Sequence, residues 1–204
     1  MFKTAIILAG GKSTRMGEDK AFLPFGDRPM LQRVVDELRP HFDDLILVTN
    51  APEQYLDLED IRLVTDVEPG QGPLGGIFTG LLASRGRHNL VVGCDYPFLN
   101  HLLLDYLWSL RTWGDVVVPL THEALAPICA IYDRRVLPVL GEALEQGERS
   151  VMGLFPRLTV HYVREDELLP YDPQLLSFRN VNTPEDYRQA LTALGATEAE
   201  SGSK

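Results

Sequence analysis

Thr4-Ala5-Ile6-Ile7-Leu8-Ala9-Gly10-Gly11-Lys12-Ser13-Thr14-Arg15-Met16-Gly17-Glu18-Asp19-Lys20 is the stretch that decides the fold. It opens as an apolar run, strand-like over Ala5–Leu8, and turns at once into a loop rich in glycine and cations. With one basic residue and a short apolar run that goes straight into a glycine-rich turn, the N-terminus reads as a first β-strand rather than a signal peptide. The glycines at 10, 11 and 17 let backbone N–H groups approach a ligand without Cβ interference. Successive N–H groups in such a turn form an anion-binding nest. Lys12, Arg15 and Lys20 add three cations to the loop, which suits a triphosphate. A glycine-rich turn alone is better explained by flexibility and solvated charge; three glycines with three cations directly after a buried strand reverse the balance in favour of phosphate. The loop is neither a Walker A sequence, lacking the upstream glycine, nor the Gly-x-Gly-x-x-Gly dinucleotide fingerprint.

Further along the chain, strand-like and helix-like segments alternate. Pro29–Arg39 carries apolar residues at Met30, Leu31, Val34, Val35 and Leu38, which is helical spacing. Leu45–Thr49 and Ile61–Thr65 read as strands, Pro73–Ser84 as a helix and Leu90–Cys94 as the strand after it. Leu102–Arg111 is helical, Val116–Pro119 and Ile128–Tyr132 are extended, and Arg134–Gln146 is a helix that Gly147 stops. Leu158–Val163 is a last strand, and Thr183-Pro184-Glu185-Asp186 supplies an N-cap, a first-turn proline and first-turn acids for a final helix. This alternation predicts an α/β fold in one domain over 1–194, with a mostly parallel sheet and right-handed crossovers. The small, polar stretch 195–204 is expected to be a frayed, disordered tail. Sheets of this kind bind ligands beyond the carboxyl ends of their strands, which here means after Leu8, Thr49, Thr65 and Cys94.

Composition limits the function. A formal net charge of −10 argues against a nucleic-acid surface, yet a local group of cations or a bound Mg²⁺ can invert the potential inside one cleft. No apolar run approaches the roughly 18 residues of a membrane span. Cys94 and Cys129, far apart in apolar stretches, read as buried reduced thiols of a cytoplasmic protein. The five histidines have no ligand spacing, and no serine sits in a nucleophile elbow. Asp57, Glu59 and Asp60 read as a solvated loop, Trp108 and Trp113 as packing residues.

The pattern Leu-Ala-Gly-Gly-x-Ser-x-Arg-Met-Gly-x-Asp-Lys resembles the signature loop of the molybdenum cofactor guanylyltransferases, the MobA-like branch of the nucleotidyltransferase superfamily. Gly72-Pro73-Leu74-Gly75-Gly76, Cys94-Asp95-Tyr96-Pro97, Glu148-Arg149-Ser150-Val151-Met152 and Asn180-Val181-Asn182-Thr183-Pro184 follow in that family's order. The resemblance therefore spans residue 8 to about 190 and implies a Rossmann-like, three-layer α/β/α nucleotidyltransferase fold. It implies nucleotide contacts from Leu8, Ala9, Gly10, Gly11, Lys20, Asn50, Asp66, Gly72, Gly76 and Asp95. Asp95 is implied to hold Mg²⁺, while Lys20 and Arg15 offset charge on the phosphates during transfer. Arg149, Asn180 and Asn182 are implied on the acceptor side. Plainer readings compete: Asp95 and Asp66 as turn aspartates, the acceptor-side residues as caps or solvated surface.

The implied reaction transfers GMP from GTP to molybdenum-bound molybdopterin, releasing pyrophosphate. Implied with it are a monomer and transient contact with cofactor-delivering or cofactor-receiving proteins, and neither nucleic acid nor membrane as a partner. Two alternatives stay open. A cytidylyltransferase acts on the same cofactor, but that branch typically reads Leu-Ala-Ala-Gly where this chain has Leu8-Ala9-Gly10-Gly11. A nucleotide-binding module without catalysis is the other.

Overall fold

Ile6 and Ile7 are both fully buried although they face opposite sides of their strand, so the first strand lies at the centre of the molecule. The structure is a computed structural model that describes residues 2–10, 20–67, 69–121 and 124–201, with side chains described to residue 195.

The first strand, β1, is Thr4–Ala9. A small hairpin, β2 (Pro24–Phe25) and β3 (Arg28–Pro29), leads into α1 (Met30–Leu38). Next come β4 (Asp44–Thr49), β5 (Arg62–Thr65), α2 (Gly72–Ala83) and β6 (His88–Gly93). After α3 (His101–Ser109) follow β7 (Val116–Leu120), β8 (Cys129–Asp133), α4 (Leu137–Glu145) and β9 (Val160–Arg164). A short α5 (Glu165–Leu168) precedes α6 (Pro184–Ser201). The final helix continues past Gly195, where the sequence reading ends the domain, as far as Ser201.

Seven strands form one sheet in the order β5-β4-β1-β6-β8-β7-β9. All pairings are parallel except those of β8, which runs antiparallel to both β6 and β7. The reversal has a simple cause. The connection from Leu120 to Cys129 is too short for the crossover that a parallel return requires. The strand order reverses direction around β1 and β6, which makes their carboxyl ends the topological switch point.

Alternation along the strands supplies a core on each face. Ala5, Ile7, Leu45, Leu47, Leu90 and Val92 pack under α1 and α3, which contribute Leu31, Val34, Val35, Leu103 and Leu107. Ile6, Ile46, Val48 and Val91 face α2 and α4, through Leu74, Ile77, Leu81 and Leu140. Burial of each such side chain stabilises the fold by about 1.5–3 kcal/mol. A third cluster joins the β2–β3 hairpin to α6: Phe25 and Met30 pack against Val181, Ala190 and Leu194. That cluster brings the C-terminal segment back to the sheet. Trp108 is buried as the sequence reading expects, but Trp113 is 63% exposed, edge-on to the His161 ring, and is not a core residue.

Candidate active site

The register lines up the predicted ligand positions. Ala9 pairs with Thr49, Thr49 with Thr65, and Leu8 with Gly93. Gly10, Asn50, Asp66 and Cys94 are therefore the first residues beyond four neighbouring strands, on one edge of the sheet. The Cys94 N–H donates to the Leu8 carbonyl at 3.0 Å, which carries the β1–β6 pairing to that edge and sets Asp95 beside the start of the Gly10 loop.

Asp95 meets residues from both ends of the chain. Its Oδ2 lies 3.7 Å from Lys20 Nζ, and each of these side chains is only 18% exposed. Lys20 Nζ also donates to Asn182 Oδ1 at 2.6 Å, a contact between residues 162 positions apart. The Val181 N–H donates to the Asp95 carbonyl at 2.9 Å. One residue on, Asp186 Oδ2 accepts from the Asn182 and Thr183 N–H groups at 3.0 and 2.8 Å. The Asp186 N–H donates to Thr183 Oγ1 at 3.1 Å, so a reciprocal cap starts α6 and fixes Asn182 facing Lys20. The sequence cue for this was the Thr183-x-x-Asp186 spacing, read there only as a helix start.

Electrostatics differ between the two aspartates. Burial pushes the Asp95 carboxyl above its ordinary range, and the Lys20 ammonium only partly pulls it back. Burial also acts upward on Asp186, but hydrogen bonds from the Asn182 backbone N–H and from the side chain and backbone N–H of Thr183 outweigh it and hold that carboxyl below its ordinary range. Tyr96, 7% exposed, has its hydroxyl kept neutral by burial and within hydrogen-bonding reach of the Asn180 side chain. A single buried, partly paired carboxylate beside one ammonium can hold a hard cation and a phosphate together.

The other candidates sort by place. Leu8 and Ala9 close β1, and Gly10 is exposed just beyond. Asn50 is exposed at the end of β4. Asp66 accepts a hydrogen bond from the Thr79 hydroxyl at 2.9 Å, and Thr79 is a contact the sequence reading missed because nothing local marks it. Gly72 is exposed and opens α2 with φ +64°. Gly76 is buried inside α2, where an added Cβ would lie 3.2 Å from Leu8 Cδ2, so close packing on β1 already accounts for a glycine there. Arg149 is exposed on the turn after α4, its N–H held by the Glu148 carboxylate at 2.8 Å, and no contact joins it to Lys20 or Asp95 among the described residues. Gly11 and Arg15 lie outside the described residues. Among the described residues no group of three or more His, Cys, Asp or Glu could hold a metal, and no helix is long and apolar enough to cross a membrane.

Residues 5–162 match the MobA-like NTP transferase domain family. A curated relative, the molybdenum cofactor guanylyltransferase of Desulfosudis oleivorans, is 37% identical over 95% of this chain and 96% of its own. Among solved structures, the molybdopterin-guanine dinucleotide biosynthesis protein A of Archaeoglobus fulgidus superposes with a TM-score of 0.84 at 25% identity, covering 95% of this chain and 99% of the other. A nucleotidyl transferase from Methanothermobacter thermautotroptrophicus shares the fold with a TM-score of 0.73 at 17% identity, over 96% and 99% of the two chains. With a family match over residues 5–162 and a relative 37% identical across nearly its whole length, the chain belongs to the MobA-like NTP transferase family.

Proposed function

We propose that this protein transfers GMP from GTP to molybdenum-bound molybdopterin, forming the guanine dinucleotide cofactor and pyrophosphate. The observation that carries the proposal is the meeting of Asp95, Lys20 and Asn182 at the switch point, from three distant parts of the chain. The named activities of the similar proteins point the same way. In the reaction, an oxygen of the acceptor's phosphate attacks the α-phosphorus of GTP in line. The new phosphorus–oxygen bond forms as the bond to the β-phosphate oxygen breaks, and pyrophosphate leaves with that electron pair. The acceptor phosphate is already ionised near neutral pH, so no strong general base is required. The chain contributes position and charge. Lys20 is placed to offset charge on the phosphates, with Arg15 on the same loop. Asn182, which accepts from Lys20, and Asn180, beside the Tyr96 hydroxyl, are assigned to the acceptor, and Arg149 is the residue of that set with least support from the geometry.

Asp95 fits Mg²⁺ by chemistry and by shape. It is a hard oxygen donor, Mg²⁺ typically takes one or two carboxylates with waters and substrate phosphates, and the missing Cβ of Gly93 leaves room for its carboxylate to fold back. When bound, the ion would supply Lewis acidity and a template for the phosphates. Guanine is favoured over cytosine by Gly10, the position at which the cytidylyltransferase branch typically carries alanine. Among the described residues an added Cβ at Gly10 would meet nothing within 4 Å, so their packing does not demand glycine there and room for a larger base is a better reason.

The test is turnover of GTP against CTP with Mg²⁺ and molybdenum-loaded molybdopterin, following pyrophosphate. GTP turnover with little from CTP is the expected result; the reverse preference overturns the base assignment. Lys20→Ala and Asp95→Ala are expected to bind GTP and lose about 10²–10³-fold in kcat, the scale for removing one preorganised charge partner. Nucleotide binding with no turnover in the wild-type protein would mean that the acceptor is wrong or that the chain is only a binding module.

A further inference from the structure

Thr79 sits inside α2, 1% exposed, with its hydroxyl directed at the end of β5. That hydroxyl accepts from the Val67 N–H at 3.1 Å and donates to Asp66 Oδ1 at 2.9 Å. A hydroxyl has one proton, so with a backbone N–H already directed at its oxygen, that proton goes to the carboxylate. Two neighbours keep the arrangement in place. Asp66 is tied through its own N–H to the Thr49 carbonyl at 3.3 Å, one strand over. Gly80, the next residue in α2, packs so closely on β1 that an added Cβ would lie 2.3 Å from Ile6 Cγ2, which fixes the height of Thr79 above the sheet. The carboxylate held in this way stands half-buried on the ligand-binding edge, next to Asn50.

We infer that Thr79 is a positioning residue for nucleotide binding: from inside the fold it fixes the Asp66 carboxylate in the orientation that meets the nucleotide. The inference rests on the reading of Asp66 as a nucleotide contact. A buried threonine could also serve only to satisfy the Val67 N–H, and the two roles differ in what they move. A merely structural hydroxyl affects stability alone. A positioning hydroxyl affects nucleotide affinity through Asp66 and has no effect once Asp66 is gone.

The experiment titrates the purified full chain with GTP, and separately with CTP, in the presence of Mg²⁺, which needs no acceptor. Four variants are compared with wild type: Thr79→Val, Thr79→Ser, Asp66→Ala and the double Asp66→Ala/Thr79→Val. Thr79→Val is expected to weaken binding of the preferred nucleotide about tenfold and, in a parallel turnover assay with the acceptor present, to raise its KM alike with kcat within about twofold, the pattern of lost uniform binding. Thr79→Ser, which keeps the hydroxyl, is expected to restore affinity to within about twofold of wild type. The double variant is expected to bind no more weakly than Asp66→Ala alone. If Asp66→Ala weakens binding and Thr79→Val does not, the positioning role is overturned while the reading of Asp66 survives. If the double variant shows the summed losses, Thr79 acts by another route and the inference also fails. If Asp66→Ala binds as tightly as wild type, the reading of Asp66 fails and takes the inference with it. Should Thr79→Val not fold, Thr79→Ala removes the same hydroxyl without added bulk and is judged by the same outcomes.

Discussion

Asp95 folds its carboxylate back over the end of β6 because Gly93 has no side chain: a Cβ there would lie 2.3 Å from Asp95 Oδ1 and 3.0 Å from the Tyr96 ring. Both distances are below van der Waals contact, but the nearer atom is the end of a movable side chain. Gly93→Ala should therefore be accommodated by turning the carboxylate away from Lys20, with the strand left in place. We expect kcat to fall about 10- to 100-fold, since small misplacements of a reacting group cost on that scale. The Mg²⁺ concentration needed for half-maximal rate should rise, while the Tm moves by no more than about 2–4 °C, about 1 kcal/mol for a chain of this size. Measuring rate against Mg²⁺ together with a thermal melt checks this; full activity at an unchanged Mg²⁺ requirement would take Asp95 out of the metal role. Asp95, Lys20 and Asn182 were legible as candidates because their motifs survive in the sequence. The Gly93 constraint was not, because it depends on which way one side chain turns.

Two glycines inside helices put the packing of elements to the test, with opposite expected signs. Gly80 in α2 leaves no room for a methyl group, since Ile6 Cγ2 occupies the position at 2.3 Å and Ile6 is itself fully buried in β1. Gly141 in α4 has room: an added Cβ would be 3.5 Å from the Phe78 ring, an ordinary contact. Gly80→Ala should destabilise by about 1–3 kcal/mol, as overpacking does. Gly141→Ala should stabilise by about 0.5–1 kcal/mol, because alanine loses less backbone entropy in a helix. Urea unfolding of the two variants against wild type decides it, and equal effects of the same sign would mean that α2 does not approach β1 this closely. Apolar runs and spacing located every strand of the main sheet and helices α1 to α4, while α6 was legible from its Thr183-Pro184-Glu185-Asp186 start and runs on to Ser201, beyond where the tail was expected to begin. The spacing gave no warning that β8 runs backwards, although the short link from Leu120 to Cys129 carried that information. The β2–β3 hairpin was also passed over; its cue was Gly26-Asp27, with Gly26 at φ +70°. Arg149, which the resemblance implies on the acceptor side, stands on an exposed turn where its N–H donates to the Glu148 carboxylate.

Across the whole molecule the sheet separates two charged groups, and the one at the amino edge is the expected source of acid sensitivity. There Asp133, 1% exposed, accepts from Arg87 Nε at 3.0 Å and Arg135 Nε at 2.9 Å, with His88 Nε2 at 3.5 Å. Burial pushes the Asp133 carboxyl up, but hydrogen bonds from the Arg135 N–H and the two guanidinium groups outweigh it, so the group lies below its ordinary value of 3.8. Burial pushes His88 below its ordinary 6.5; the charges of Arg87, Arg111 and Arg135 act in the same direction, against Asp133. His88 Nδ1 is buried with no hydrogen-bond partner among the described residues, so a proton there would be left unsatisfied. The sign follows from linkage: the unfolded chain takes the proton near pH 6.5 while the folded chain resists it, so the His88 contribution is full above that pH and is lost as pH falls through the lower folded value. Asp133 behaves likewise, with its loss starting only below 3.8. The Tm should therefore hold between about pH 8 and 7 and decline from about pH 6.5 toward 5, well before carboxylates titrate. His88→Gln cannot take a proton, so it should flatten the decline between about pH 6.5 and 5 whatever its effect on the Tm at pH 7, and leave the steep loss below about pH 4 in place. Melts of both proteins across that range read the difference in slope directly. An unchanged slope in the variant would shift the acid sensitivity to another histidine and remove the amino edge of the sheet as its source.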